Sequence, residues 1–105
     1  MGILKGVLKE ELQNSLQMKR DYERELVKLP RGSLVKKNIK GHNYYYLLMR
    51  DKGKIKFIYK GKIPESEIKR YQEVKRYRAK YRRLLAKVKQ QIKFLKRSLR
   101  GKESV

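Results

Sequence analysis

Between Glu65 and Leu99 the chain contains neither glycine nor proline, and its apolar residues fall into two interleaved seven-residue series. Tyr71, Leu85, Ile92 and Leu99 make up one; Val74, Tyr81, Val88 and Leu95 make up the other. Together they form the a/d seam of an amphipathic helix, broken only at Arg78. Pro64 suits a helix start, and Glu65 and Glu67 place acids in the first turn, where they complement the helix dipole. A helix over 64–100, with 101–105 as a tail, is roughly 50 Å long. A small sheet cannot cover that length, so the seam requires a helical partner. Residues 1–29 supply one in cis. There Leu4, Val7, Leu8, Leu12, Leu16, Tyr22, Leu26 and Leu29 recur at helical spacing until Pro30 and Gly32 stop them. A second copy of the chain is the alternative, giving a homodimer through the same seam.

The stretch between the helices, 33–60, reads as three short strands rich in aromatic and branched residues, each followed by a glycine-bearing connection. The expected fold class is α+β. A three-stranded antiparallel meander is flanked by an N-terminal helix and a long C-terminal helix, which pair as an antiparallel hairpin. At 105 residues a single domain is expected. If Gly41-His42-Asn43 and Asp51-Lys52-Gly53 are three-residue hairpin loops, Ile39 faces Tyr45 and Tyr45 faces Tyr59. Two faces then separate. Val35, Lys37, Ile39, Tyr45, Leu47, Met49, Ile55, Phe57 and Tyr59 form a nearly apolar one, expected to bury against a helix. Leu34, Lys36, Asn38, Lys40, Tyr44, Tyr46, Leu48, Arg50, Lys54, Lys56, Ile58 and Lys60 form an exposed basic one. Pairing depends on register, since a slip of one residue sends every side chain of a strand to the other face.

Charge constrains function more than it constrains fold. The chain carries 31 Lys+Arg against 10 Asp+Glu, a formal net charge of +21. Residues 1–29 are nearly balanced, and the excess belongs to 30–105. From Val74 to Lys102 there is no acidic residue. Structural helix surfaces usually mix signs to gain i,i+4 pairs; an unbroken cationic run repels itself and points to a polyanion.

Catalytic and metal-binding constellations are missing from the pattern. Without cysteine there is neither a disulfide nor a thiolate metal site. His42, the lone histidine, sits in a turn, and no Gly-x-x-x-x-Gly-Lys loop cradles a phosphate. The expectation is a non-enzyme with no cofactor and no metal. The N-terminal segment is interrupted by Lys5, Lys9, Glu10 and Glu11, unlike a secretory signal, and no run reaches membrane-spanning length. A soluble protein of the cytoplasm, in a prokaryotic cell or phage-infected host, is expected, with no membrane partner.

Binding is better supported. On the sheet, Lys36, Asn38, Lys40, Tyr44, Tyr46, Arg50, Lys54, Lys56 and Lys60 are the candidate nucleic-acid contacts. Arg50, Lys54 and Lys56 suit guanine edges or phosphates, Asn38 suits adenine, and Tyr44 and Tyr46 suit base stacking. On the long helix the candidates are Arg76, Lys80, Arg83 and Lys87. DNA is favoured over RNA, because a three-stranded sheet can enter the major groove. The alternatives are an RNA-binding protein and a protein that docks on a nucleoprotein complex, as an accessory subunit or an anti-CRISPR-like inhibitor from a phage or mobile element. A basic amphipathic helix on an anionic membrane ranks last.

Two resemblances accompany these patterns. The segment "KGHNYYYLLMRDKGKIKFIYKGKIPESEIKRYQEV" resembles the sheet-plus-helix DNA-binding modules of phage and transposon integrases and plant AP2-type factors, which implies strands in a major groove with a helix behind. Most of the chain is similar to a family of small prokaryotic proteins of unknown function. Leu29, Pro30, Gly32, Ser33, Gly41, Tyr44, Tyr45, Gly53 and Lys54 carry that likeness. Some members have a cysteine cluster before the Tyr-Tyr strand; this chain has "KKNIKGHN" there, so no metal site carries over. Such families occur among mobile-element genes, which implies a nucleic-acid context.

Overall fold

The computed structural model describes residues 2–103. The element order is α1 (Gly2–Lys28), β1 (Ser33–Ile39), β2 (His42–Asp51), β3 (Lys54–Gly61) and α2 (Glu65–Glu103). This is the expected α+β class. The chain forms two compact units: Met1–Lys28 with Ala79–Val105, and Leu29–Arg78. The continuous helix α2 contributes to both.

In the helical unit, α1 and the distal part of α2 run antiparallel. The Tyr22 and Tyr81 rings lie 6.1 Å apart, and Leu12 shares a hollow with Leu99. Val88, Ile92, Leu95 and Leu99 are buried, and Leu8, Leu12, Leu16 and Leu26 of α1 are half-buried. The seam from Tyr81 to Leu99 is therefore closed by the chain's own first helix. The most buried residue there is Ser15, at 1 % exposure. It sits on the contact stripe of α1 between Leu12 and Leu16, where a small side chain lets two helices approach closely.

In the sheet unit the strand order is β1-β2-β3, antiparallel throughout. Both hairpins turn on two residues, not three. Ile39 pairs with His42 around Lys40-Gly41, and Asp51 pairs with Lys54 around Lys52-Gly53. The four turn residues have φ of 52°, 80°, 51° and 79°. Consecutive left-handed residues define the tight turn whose twist matches that of the flanking strands. The result corrects the expected register by one residue in β3 and by three in β1, so both strands present the opposite set of side chains to each face. Lys60 is an extra residue in β3, where pairing jumps from Tyr46–Tyr59 to Tyr45–Gly61.

Proximal α2 and the turn before β1 are tied by Arg78, the residue that interrupts the seam. Its guanidinium donates to the carbonyls of Pro30, at 2.5 Å, and Gly32, at 3.4 Å. Gly32 has φ of 99°, and a Cβ there would lie 2.9 Å from the Leu47 side chain and 3.2 Å from the Leu48 carbonyl oxygen. The turn thus needs glycine both for its backbone and for contact with the buried Leu47.

Gly32→Ala should cost roughly 1–3 kcal/mol or more, through strain and overlap together. Gly41→Ala, left-handed but facing open space, should cost about 1 kcal/mol. Arg78→Ala should cost about 1.5–3 kcal/mol through its lost charged hydrogen bonds. Urea denaturation of the three variants checks the order.

Candidate nucleic-acid interface

The register assigns every strand residue to a side. Leu34, Lys36, Asn38, Asn43, Tyr45, Leu47, Met49, Asp51, Lys54, Lys56 and Ile58 share the side that carries the buried Leu47. Leu34, Lys36 and Tyr45 line a cavity with Ile68 and Tyr71 of proximal α2, so this side is backed by the helix. The other side is open. Its rows run Ile55–Arg50, then Phe57–Leu48–Ser33, then Tyr59–Tyr46–Val35, then Tyr44–Lys37, then His42–Ile39.

Tyr45 faces the helix, and Tyr44, Tyr46 and Arg50 share the open face, as expected. Lys36, Asn38, Lys54 and Lys56 do not join them; they stand on the helix-backed side because β1 and β3 are shifted. Asn38 donates to the Asn43 amide oxygen at 3.1 Å, and Lys56 pairs with Asp51 at 3.1 Å. Lys40 occupies a turn and Lys60 the bulge. Lysines along β3 suit another role, since charge on an edge strand discourages pairing with a foreign strand.

The open face is aromatic, not basic. Phe57 and Tyr59 are 65 % and 60 % exposed, Ile55 is exposed next to them, and Ile39 is exposed at the far end of the same side. Tyr46 packs against Tyr59 with ring centroids 5.3 Å apart. Cations border the rings: Lys37 Nζ lies 5.5 Å from the Tyr46 centroid, and Lys62 Nζ lies 5.9 Å from that of Tyr44. These are cation–π distances, and they leave each ammonium beside a flat apolar surface. Phe57, Tyr59, Lys37 and Lys62 belong to this surface although the sequence pattern did not single them out. The signal that would have found them was the pair of Lys-Gly turns, which set the register.

On α2, Arg76, Lys80, Arg83 and Lys87 are all exposed. Helical spacing puts Arg82, Lys89 and Lys96 on one line, with Arg83 and Arg97 on the adjacent line. Among the described residues, no cation of α2 from Lys69 to Arg100 forms an ion pair, whereas in α1 Asp21 and Glu25 are held by Arg24 and Lys28. No group of acidic or histidine side chains capable of holding a metal occurs among the described residues. Neither helix is long and apolar enough there to cross a membrane.

The fold and these surfaces define a strongly basic α+β protein whose three-stranded sheet is backed by a helix on one side and open on the other. Residues 8–70 match the family model described as a domain of unknown function, DUF6788, and the chain belongs to that family. The matched span holds most of α1, the Pro30–Gly32 turn, the whole sheet and the first turns of α2. It ends before the acid-free run that begins at Val74. No curated protein and no solved structure matches the chain.

Leu47→Ala should cost about 2–5 kcal/mol, as for a buried leucine, whereas Phe57→Ser should cost less than about 1 kcal/mol. Thermal and urea unfolding of both variants tests the register, because the three-residue-loop alternative puts Leu47 and Phe57 in the core together.

Proposed function

We propose that this protein binds single-stranded nucleic acid through the open face of its sheet, with the basic α2 adding non-specific attraction to the phosphates. The observation that carries the reading is the cluster of Tyr44, Tyr46, Phe57 and Tyr59 on one open surface, with Lys37 and Lys62 over two of the rings. Unpaired bases can stack on such rings, while nearby cations meet the backbone. Phe57 and Tyr59 are two residues apart on one strand, which spaces their rings by about 7 Å. Insertion into a duplex groove is less well supported, because Asn38, Lys54 and Lys56 are not on the face that carries Tyr46. With that grouping goes the argument for DNA over RNA. The aromatic face serves either polymer, and an origin among mobile elements would supply both.

A second reading is docking on a protein within a nucleoprotein complex, favoured by the aliphatic exposure of Ile39 and Ile55 on the same face. Light scattering and binding to free oligonucleotides separate the two.

Fluorescence anisotropy with matched single-stranded and duplex probes across a salt series provides the test. Single strands should bind more tightly than duplexes. Phe57→Ala with Tyr59→Ala should weaken single-strand binding by about 1–3 kcal/mol per lost stacked base, with the salt slope unchanged. Charge reversal at Arg82, Arg83 and Lys89 should instead lower the slope. Equal affinity for both probes, unmoved by the aromatic substitutions, would contradict the stacking role.

A further inference from the structure

The helix-backed side of the sheet holds a cavity of about 440 Å³ between β1 and proximal α2. It belongs wholly to the sheet unit and lies across the sheet from the aromatic face, so a ligand held there is independent of any strand stacked on that face. The volume falls within the ~300–1,000 Å³ of small-molecule sites, and it far exceeds what one inorganic anion fills. Its polar side chains come from Lys36, Lys75, Arg78, Tyr45 and Tyr71, together with one glutamine; no carboxylate lines it.

Each group has a definable capacity. Lys36 of β1 and Lys75 of α2 are exposed ammonium groups on opposite walls, and neither forms an ion pair. Arg78 is half-buried and held by the Pro30 and Gly32 carbonyls. Two of its five N–H donors suffice for those bonds, and the rest of a fixed, planar fork remains for an anion. Tyr45 and Tyr71 are half-buried, and each offers an apolar ring with a polar tip. Three cations without an acid select a ligand with concentrated negative charge, and phosphate matches guanidinium and ammonium donors well. The remaining volume and the two phenol rings call for a flat organic group attached to it.

We propose that this cavity is a binding site for a nucleoside monophosphate group, with the phosphate held by Lys36, Lys75 and Arg78 and the base set against the tyrosines. The group can be a free nucleotide or the 5′-phosphorylated end of a strand, since both present the same chemistry.

Isothermal titration of the full chain with AMP, adenosine and inorganic phosphate, at about 150 mM salt to screen diffuse attraction, tests the site. AMP should bind saturably at one per chain, about tenfold or more tighter than either fragment. The exposed Lys36→Ala and Lys75→Ala changes together should weaken AMP about tenfold or more, with the unfolding midpoint kept. Phe57→Ala with Tyr59→Ala should leave AMP binding unchanged. Competition by a 5′-phosphorylated oligonucleotide but not by its unphosphorylated form identifies the strand end as the source; failure of both to compete identifies the free nucleotide. Lack of saturation, equal binding of AMP and inorganic phosphate, or indifference to the lysine pair would overturn the proposal. Arg78→Ala is unsuitable as the sole variant because it also loosens the Pro30–Gly32 turn.

Discussion

Lys40-Gly41 and Lys52-Gly53 each hold two consecutive residues at positive φ, and the surfaces of the sheet follow from that constraint. A two-residue turn closes each hairpin with Ile39 against His42 and Asp51 against Lys54. Side chains alternate along a strand, so these two pairings decide which residues meet throughout the sheet. They put Phe57 beside Leu48 and Tyr59 beside Tyr46 on the open side, and Leu34 and Ile58 beside Leu47 on the helix-backed side. Lysine is an unusual occupant of the first turn position, which asparagine or aspartate fills at less cost. Glycine at the second position removes the strain of the other half of each turn.

Electrostatics pull against this framework. With a net charge of +21, the chain repels itself, and little in the structure offsets that repulsion. Asp21 and Glu25 are committed to neighbours on α1, and Asp51 to Lys56 on the sheet. The cations of distal α2 face outward from the stretch of seam, Tyr81 to Leu99, that α1 closes, so this part of the helix is anchored by apolar contact and remains electrostatically unbalanced. An anionic ligand would stabilise such a molecule by binding its folded form. Arg78 shows the other use of a cation, inside the fold, where it replaces an apolar seam residue and fastens the turn that enters β1.

Much of the architecture was legible in the sequence. The seven-residue series predicted which positions of α2 lie inward, and Pro30, Gly32 and Pro64 bounded the elements within a few residues. The faces of β2 were legible as well, with Tyr45, Leu47 and Met49 facing the helix. The partners of β2 were not. Grouping Ile55, Phe57 and Tyr59 with Tyr45 gave the cleanest separation of apolar from basic side chains, but a sheet covered on one side only does not require that separation. Turn geometry decided the register instead, and lysine at a position that usually reads as asparagine concealed the turn. The Lys60 bulge and the close packing at Ser15 depend on contacts between distant segments, which no local pattern reports. The candidate site changed with the register: Tyr44, Tyr46 and Arg50 stayed on the open face, Lys36, Asn38, Lys54 and Lys56 left it, and Phe57 and Tyr59 took their place.

Stacking of unpaired bases on the open face of the sheet is the proposed role of Tyr46, Phe57 and Tyr59. Photocrosslinking of a single strand carrying 5-iodouracil, with the linked residues mapped by mass spectrometry, tests it most directly. Crosslinks are expected at Phe57, Tyr59 and Tyr46, within reach of Lys37 and Lys62. Crosslinks confined to α2 or to the helix-backed side of the sheet would contradict it.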